Sequence, residues 1–158
     1  MKPIIHLSID DVWKAFDQLF TRKPDTIFAI SLFKLLRHYH SRDRAAFTLY
    51  VVGKTASFDL NACDTSYRDE FEKNADWLGF ALHCVTLSDD SVTAMQGYEE
   101  SFQALERVVG RKSISSVVRL HGFQNGALMK GGMENARIKT LLCADDDRRS
   151  YEIGRAHV

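Results

Sequence analysis

Ile4-Ile5-His6-Leu7-Ser8-Ile9-Asp10-Asp11-Val12-Trp13 is the stretch on which the reading of the chain turns. Its apolar residues Ile4, Ile5, Leu7 and Ile9 make a short strand, and two adjacent carboxylates stand where that strand ends. Side chains alternate faces along a strand, yet at a frayed C-terminal end two consecutive carboxylates can reach one site. One would hold a metal while the other moves a proton. A second reading stays open, in which Asp11 caps a helix that begins in Val12-Trp13-Lys14-Ala15-Phe16, since Asp is a preferred N-cap.

Outward from this stretch, apolar segments alternate with amphipathic ones. Strands are expected at Ile4 to Ile9, Ala46 to Val52, Trp77 to His83, Ser116 to Leu120 and Ile138 to Cys143. Ser31 to His40, Ser66 to Asn74 and Ala94 to Val109 read as helices. In the last, Met95, Tyr98, Phe102, Leu105 and Val109 recur at spacings of three and four, which draws one apolar stripe, and Gly110 follows as a stop. Strands separated by helices predict an α/β fold with a parallel sheet. Only Pro3 and Pro24 occur, and no Gly/Ser-rich linker interrupts the pattern, so one domain is expected.

The 158 residues, 45% of them hydrophobic, suit one domain that buries roughly 68–70% of its unfolded surface. Twenty-one basic residues balance 21 acidic ones, so no global charge draws the chain to nucleic acid or an anionic membrane. Cys63, Cys84 and Cys143 lack CxxC spacing and read as reduced thiols. The N-terminal apolar stretch is too short for a signal peptide or a membrane span, so a cytoplasmic protein is expected.

Parallel βα units carry functional side chains on the loops that follow strand C-termini. Strand one ends in Asp10-Asp11, strand three in His83, strand four in Arg119-Leu120-His121, and strand five in Asp145-Asp146-Asp147-Arg148. Carboxylates, imidazoles and a guanidinium would thus converge in one cleft. His38 and His40, beside Arg37, Arg42 and Arg44, read instead as charge complements at a helix C-terminus.

The order of Ser8-Ile9-Asp10-Asp11-Val12-Trp13, Phe47-Thr48-Leu49-Tyr50, Asp76-Trp77-Leu78-Gly79-Phe80-Ala81-Leu82-His83, Arg119-Leu120-His121 and Leu141-Leu142-Cys143-Ala144-Asp145-Asp146-Asp147-Arg148 resembles the NodB-homology polysaccharide deacetylases, carbohydrate esterase family four, and most closely a divergent, mostly uncharacterised branch of that superfamily. The resemblance implies a partial (β/α) barrel over residues 1–152. It implies a hydrolase that removes an acetyl group from an acetylated sugar or similar amide, with a divalent metal, usually Zn²⁺, with Mn²⁺, Co²⁺ or Mg²⁺ as alternatives. Carried over, Asp10 is the general base and Asp11 a metal ligand. Arg119 orients Asp10, an aspartate of the Asp145-Asp146-Asp147 run braces that arginine, with Asp145 taken for the role, and Phe123 stands for the aromatic that follows it.

One departure matters. The family's H-S/T-x-x-H motif is matched here by His83-Cys84-Val85-Thr86-Leu87, with Leu87 where the second histidine belongs. His83 and Asp11 alone make a two-ligand site, whereas catalytic zinc takes three protein ligands. His121, Asp89 and Asp90 are the candidates for the third; His121 is preferred, because the next parallel strand delivers it to the same rim. Trp13, Phe80 and Tyr151 are candidates for sugar stacking. Residues 153–158, Ile-Gly-Arg-Ala-His-Val, read like translated sequencing adapter, so the natural chain is expected to continue past Glu152 and to bring the family's leucine-x-histidine general acid.

Two other functions fit the sequence. Leu87 suits an inactive relative that binds carbohydrate or a protein partner through the old cleft. The carboxylates at Asp10-Asp11 and Asp145-Asp146-Asp147 suit a Mg²⁺-dependent phosphatase, although a Gly-rich phosphate cradle and a D-x-D motif are missing.

Overall fold

The computed structural model describes residues 5–88, 93, 96–121 and 138–142. In chain order these form β1 (His6–Val12), α1 (Lys14–Arg22), α2 (Ser31–Asp43), β2 (Ala46–Lys54), α3 (Arg68–Lys73), β3 (Leu78–Thr86), α4 (Tyr98–Val109), β4 (Val117–Arg119) and β5 (Thr140–Leu142). The fold is α/β, with parallel strands alternating with helices. β1, β2 and β3 pair in sequence order, β4 pairs with β5, and each of these pairings is parallel. A parallel bridge from Phe80 to Ile114 and the bond from Ser115 N–H to the Phe80 carbonyl, 2.7 Å, bring the β4 segment alongside β3.

Helix boundaries follow local chemistry. α4 buries Tyr98, Phe102, Leu105 and Val109, the predicted stripe, and ends at Gly110, whose φ of +82° is open to glycine at little cost. Met95 lies outside the described residues. α1 starts after Trp13, which gives no side-chain cap. The capping reading of Asp11 therefore falls away, and its carboxylate is left for the cleft. Glu70 on α3 accepts from the Ile27 N–H at 2.9 Å and pairs with the Thr26 hydroxyl, which fastens the α1–α2 connection to α3.

The helices cover one face of the sheet. Phe16 of α1 meets Phe33 of α2, Phe71 of α3 and Phe80 of β3 at ring centroid distances of 6.1, 5.9 and 5.7 Å, all four rings fully buried. Phe80 therefore belongs to the core and not to a sugar-stacking surface. Aromatic pairs of this kind contribute about 0.5–1.5 kcal/mol each beyond their buried area.

The other face is polar or bare. Register places Ser8 beside Thr48 and Thr48 beside Gly79, and the two-residue pleat adds Asp10, Tyr50, Ala81 and His83 to the same side. This face is concave. A flat sheet would hold β1 and β4 three strand spacings apart, about 14 Å, yet Arg119 of β4 bonds directly to Asp10 and Ser8 of β1.

Candidate metal and hydrolytic site

The site lies at the C-terminal end of this concave face. Its first residues depend on an irregularity in β1. Pairing with β2 shifts between Ile9 and Val12, and Asp11 takes a left-handed φ of +55°. A regular strand would send Asp10 and Asp11 to opposite faces; the irregular backbone turns both carboxylates to the same rim. Non-glycine residues hold such a φ at an energetic cost, and it persists where surrounding structure enforces it.

Asp10 is gripped by Arg119. Nη1 of the guanidinium donates to both carboxylate oxygens, at 3.1 and 3.0 Å, while Nη2 donates to the Ser8 hydroxyl at 3.0 Å. The guanidinium also sits over the Tyr50 ring, 5.2 Å from its centroid. Tyr50 is buried, and burial raises its pKa, so it lies as a neutral platform under the charge. Ser8 and Tyr50 carry no role in the sequence reading. Their part depends on which face each strand residue takes relative to β4, and that is set by register and curl rather than by residue type.

Asp11 faces two imidazoles. Its Oδ1 lies 3.5 Å from His83 Nε2 and 3.3 Å from His121 Nδ1. The three ligand atoms all fall within 4.8 Å of one another. His83 is buried, and its Nδ1–H donates to the Arg119 carbonyl at 2.6 Å. That bond fixes the tautomer. Burial, the largest influence, lowers the His83 pKa and favours the neutral ring. Nε2 then presents a lone pair toward a carboxylate oxygen, two acceptors facing each other.

A cation between them would resolve the conflict, and the donor set fits one. One carboxylate and two imidazoles make a three-ligand zinc set, and bonds of about 2.0–2.1 Å at tetrahedral angles separate ligand atoms by about 3.3 Å, close to the two observed spacings. The carbonyl that orients His83 belongs to Arg119, so the backbone that braces one ligand carries the side chain that holds Asp10.

The sequence-predicted residues Asp10, Asp11, His83, Arg119 and His121 are thus brought together from β1, β3 and the end of β4. Asp145, with Asp146 and Asp147, lies outside the described residues, as do Asp89, Asp90, Phe123 and Tyr151. Leu87 is exposed and does not enter the cluster. Trp13 packs toward Phe58 at 6.5 Å. His40 accounts for itself structurally, with Nδ1 on the Ala45 carbonyl at 2.9 Å and its ring stacked on Trp77 at 4.5 Å. Burial raises the Cys63 and Cys84 thiols to about 12, so neither is a thiolate nucleophile at neutral pH.

No family model, curated protein or solved structure matches the chain. No helix among the described residues is long and apolar enough to cross a membrane.

Proposed function

We propose that the protein is a metal-dependent hydrolase of the polysaccharide deacetylase type, removing acetyl groups from an acetylated sugar or a similar amide, and that its sheet is part of a (β/α) barrel. The observation that carries the reading is the meeting of Asp11, His83 and His121 within 4.8 Å, one residue from a second carboxylate held by an arginine. A divalent cation held by Asp11, His83 and His121, Zn²⁺ by that ligand set, would supply Lewis acidity to an acetyl carbonyl and would lower the pKa of a water. His121 stands for the histidine that Leu87 replaces, which weakens the case for an inactive cleft.

Asp10 takes the proton of the attacking water as its oxygen adds to the carbonyl carbon. The C–N bond then breaks, acetate leaves, and the proton on Asp10 is available to the departing amine. Arg119 and Ser8 keep the Asp10 carboxylate in one orientation, which matters because a base must lie within hydrogen-bond reach of the proton it removes. General-base catalysis of this kind contributes about 10²–10⁴-fold.

The test is metal content by elemental mass spectrometry after equilibration with Zn²⁺, Mn²⁺, Co²⁺ or Mg²⁺, beside acetate release from N-acetylated chitooligosaccharides. Near-stoichiometric metal that Asp11→Ala and His83→Ala both remove, with acetate release that follows the metal, is the expected result. Folded wild type without metal overturns the reading.

A further inference from the structure

Tyr50 stands on β2, the middle strand of the three-stranded sheet, and shares the concave face with Asp10 and His83. Its ring is held from two sides. The Arg119 guanidinium lies 5.2 Å from the ring centroid and the His83 imidazole 6.0 Å from it. Tyr50 thus fills the floor between the arginine that grips Asp10 and the imidazole that faces Asp11. A phenylalanine would supply the same apolar bulk, and the same ring face to the guanidinium. These contacts account for the ring and leave the hydroxyl unexplained.

That hydroxyl differs from those of the other buried tyrosines. Tyr67 O–H donates to the Pro24 carbonyl at 2.6 Å, and Tyr98 O–H donates to the Leu82 carbonyl at 3.0 Å. Tyr50 is 1% exposed, yet its hydroxyl forms no hydrogen bond among the described residues. Nor is its oxygen sealed from solvent, as the unpartnered hydroxyls of Thr86 and Ser113 are. It keeps access to the concave side, where a buried phenol without a partner points to a group that arrives there.

The neighbouring groups define what that arrival is. Asp10 and Asp11 offer acceptors only, the His83 Nδ1–H is spent on the Arg119 carbonyl, and Nη1 and Nη2 of Arg119 are spent on Asp10 and Ser8. A phenol keeps its proton at neutral pH, so Tyr50 adds an uncommitted neutral donor to this rim. Addition of water to an acetyl carbonyl drives negative charge onto the carbonyl oxygen, and a fixed donor stabilises charge that develops beside it.

We propose that the Tyr50 hydroxyl is a further catalytic group of the site, donating a hydrogen bond to the acetyl oxygen as its carbon becomes tetrahedral. The assignment rests on the hydrolase reading above. The phenol proton stays on Tyr50 throughout, and the charge on the acetyl oxygen returns to the C–O double bond as the C–N bond breaks.

The experiment compares Zn²⁺-loaded wild type with Tyr50→Phe, which keeps the ring beneath Arg119. Acetate release from N-acetylated chitooligosaccharides, metal content, thermal melting and calorimetric titration with methylphosphonate, a tetrahedral anion in place of the adduct, are measured on both. Tyr50→Phe should lower kcat by about 10²-fold, as loss of one such donor does, with KM little changed because the bond strengthens in the transition state. Kd for methylphosphonate should rise about tenfold or more, as for one hydrogen bond to a charged group. Metal content and melting temperature should match wild type. Equal kcat, a change confined to KM, or equal methylphosphonate affinity overturns the proposal and leaves the hydrolase reading in place. Loss of metal or a lower melting temperature in Tyr50→Phe assigns the hydroxyl to structure and also overturns it. Wild type that holds metal yet releases no acetate overturns the reading and the proposal together.

Discussion

The two ends of one concave face are built by opposite means. At the C-terminal end the pairing is irregular: β1 slips between Ile9 and Val12, Asp11 takes a left-handed φ, and the β2–β3 register shifts between Val51 and Val52. Ionisable groups are gathered there, Asp10 bonded to Arg119 and Asp11 facing two imidazoles. At the N-terminal end the register runs without interruption, from His6 beside Ala46 and from Phe47 beside Leu78, and the groups are mostly neutral. Gly79 carries no side chain there, and a Cβ would meet only ordinary contacts at 3.7–3.8 Å. A sheet can thus bend its backbone or leave a position bare, and here it is the bend that gathers the ionisable groups.

The sharpest way to break this contrast is Asp10→Asn. It should lower acetate release by about 10²–10⁴-fold, the range for loss of a general base, while bound metal stays as in wild type; activity near wild type removes Asp10 from the proposed chemistry. Next in size is metal linkage. Saturating Zn²⁺ at about 100 times Kd should raise unfolding stability by about 2.7 kcal/mol, and His121→Ala should abolish most of that gain in a denaturant titration. If His121→Ala responds to Zn²⁺ like wild type, the third ligand lies elsewhere.

Gly79→Ala sharpens the comparison from the other side. It should stabilise the protein by about 0.5–1 kcal/mol, because the strand loses a glycine and the new methyl meets no clash; destabilisation would mean that the space is less open than its contacts indicate. The smallest effect concerns acid. Burial lowers the folded-state pKa of His83 below its unfolded value of about 6.5, so the unfolded chain binds the extra proton first. Metal-free protein should therefore lose stability as pH falls through that range, and His83→Gln should flatten the loss in melts between pH 7 and 5.

Much of the architecture is legible in residue order. The alternation of apolar segments places all five strands and the α4 stripe, with boundaries displaced by one to three residues where strands pair beyond their apolar cores, as β1 does through Val12 and β3 through Thr86. His121 is found by a rule of position, since it follows the strand that arrives beside β3. The left-handed Asp11 is not legible, because nothing in an Asp-Asp pair announces a break in pairing. Nor are Ser8 and Tyr50, whose contacts with Arg119 exist only once the sheet curls.

The bond between Arg119 and Asp10 joins positions 109 residues apart. Neighbouring strands meet over much shorter separations, and closing a loop costs about 0.6 kcal/mol more for each doubling of its length. The chain thus has a route in which β1, β2 and β3 align stepwise over the helices before β4 reaches back to the first strand. On that route the Arg119–Asp10 pair is among the last features to form during refolding, later than burial of Trp77, whose ring is already enclosed by His40, Phe28 and Phe47. Recovery of the proposed acetate release would then lag recovery of tryptophan fluorescence, and the candidate site would serve as the chain's own indicator that folding is complete.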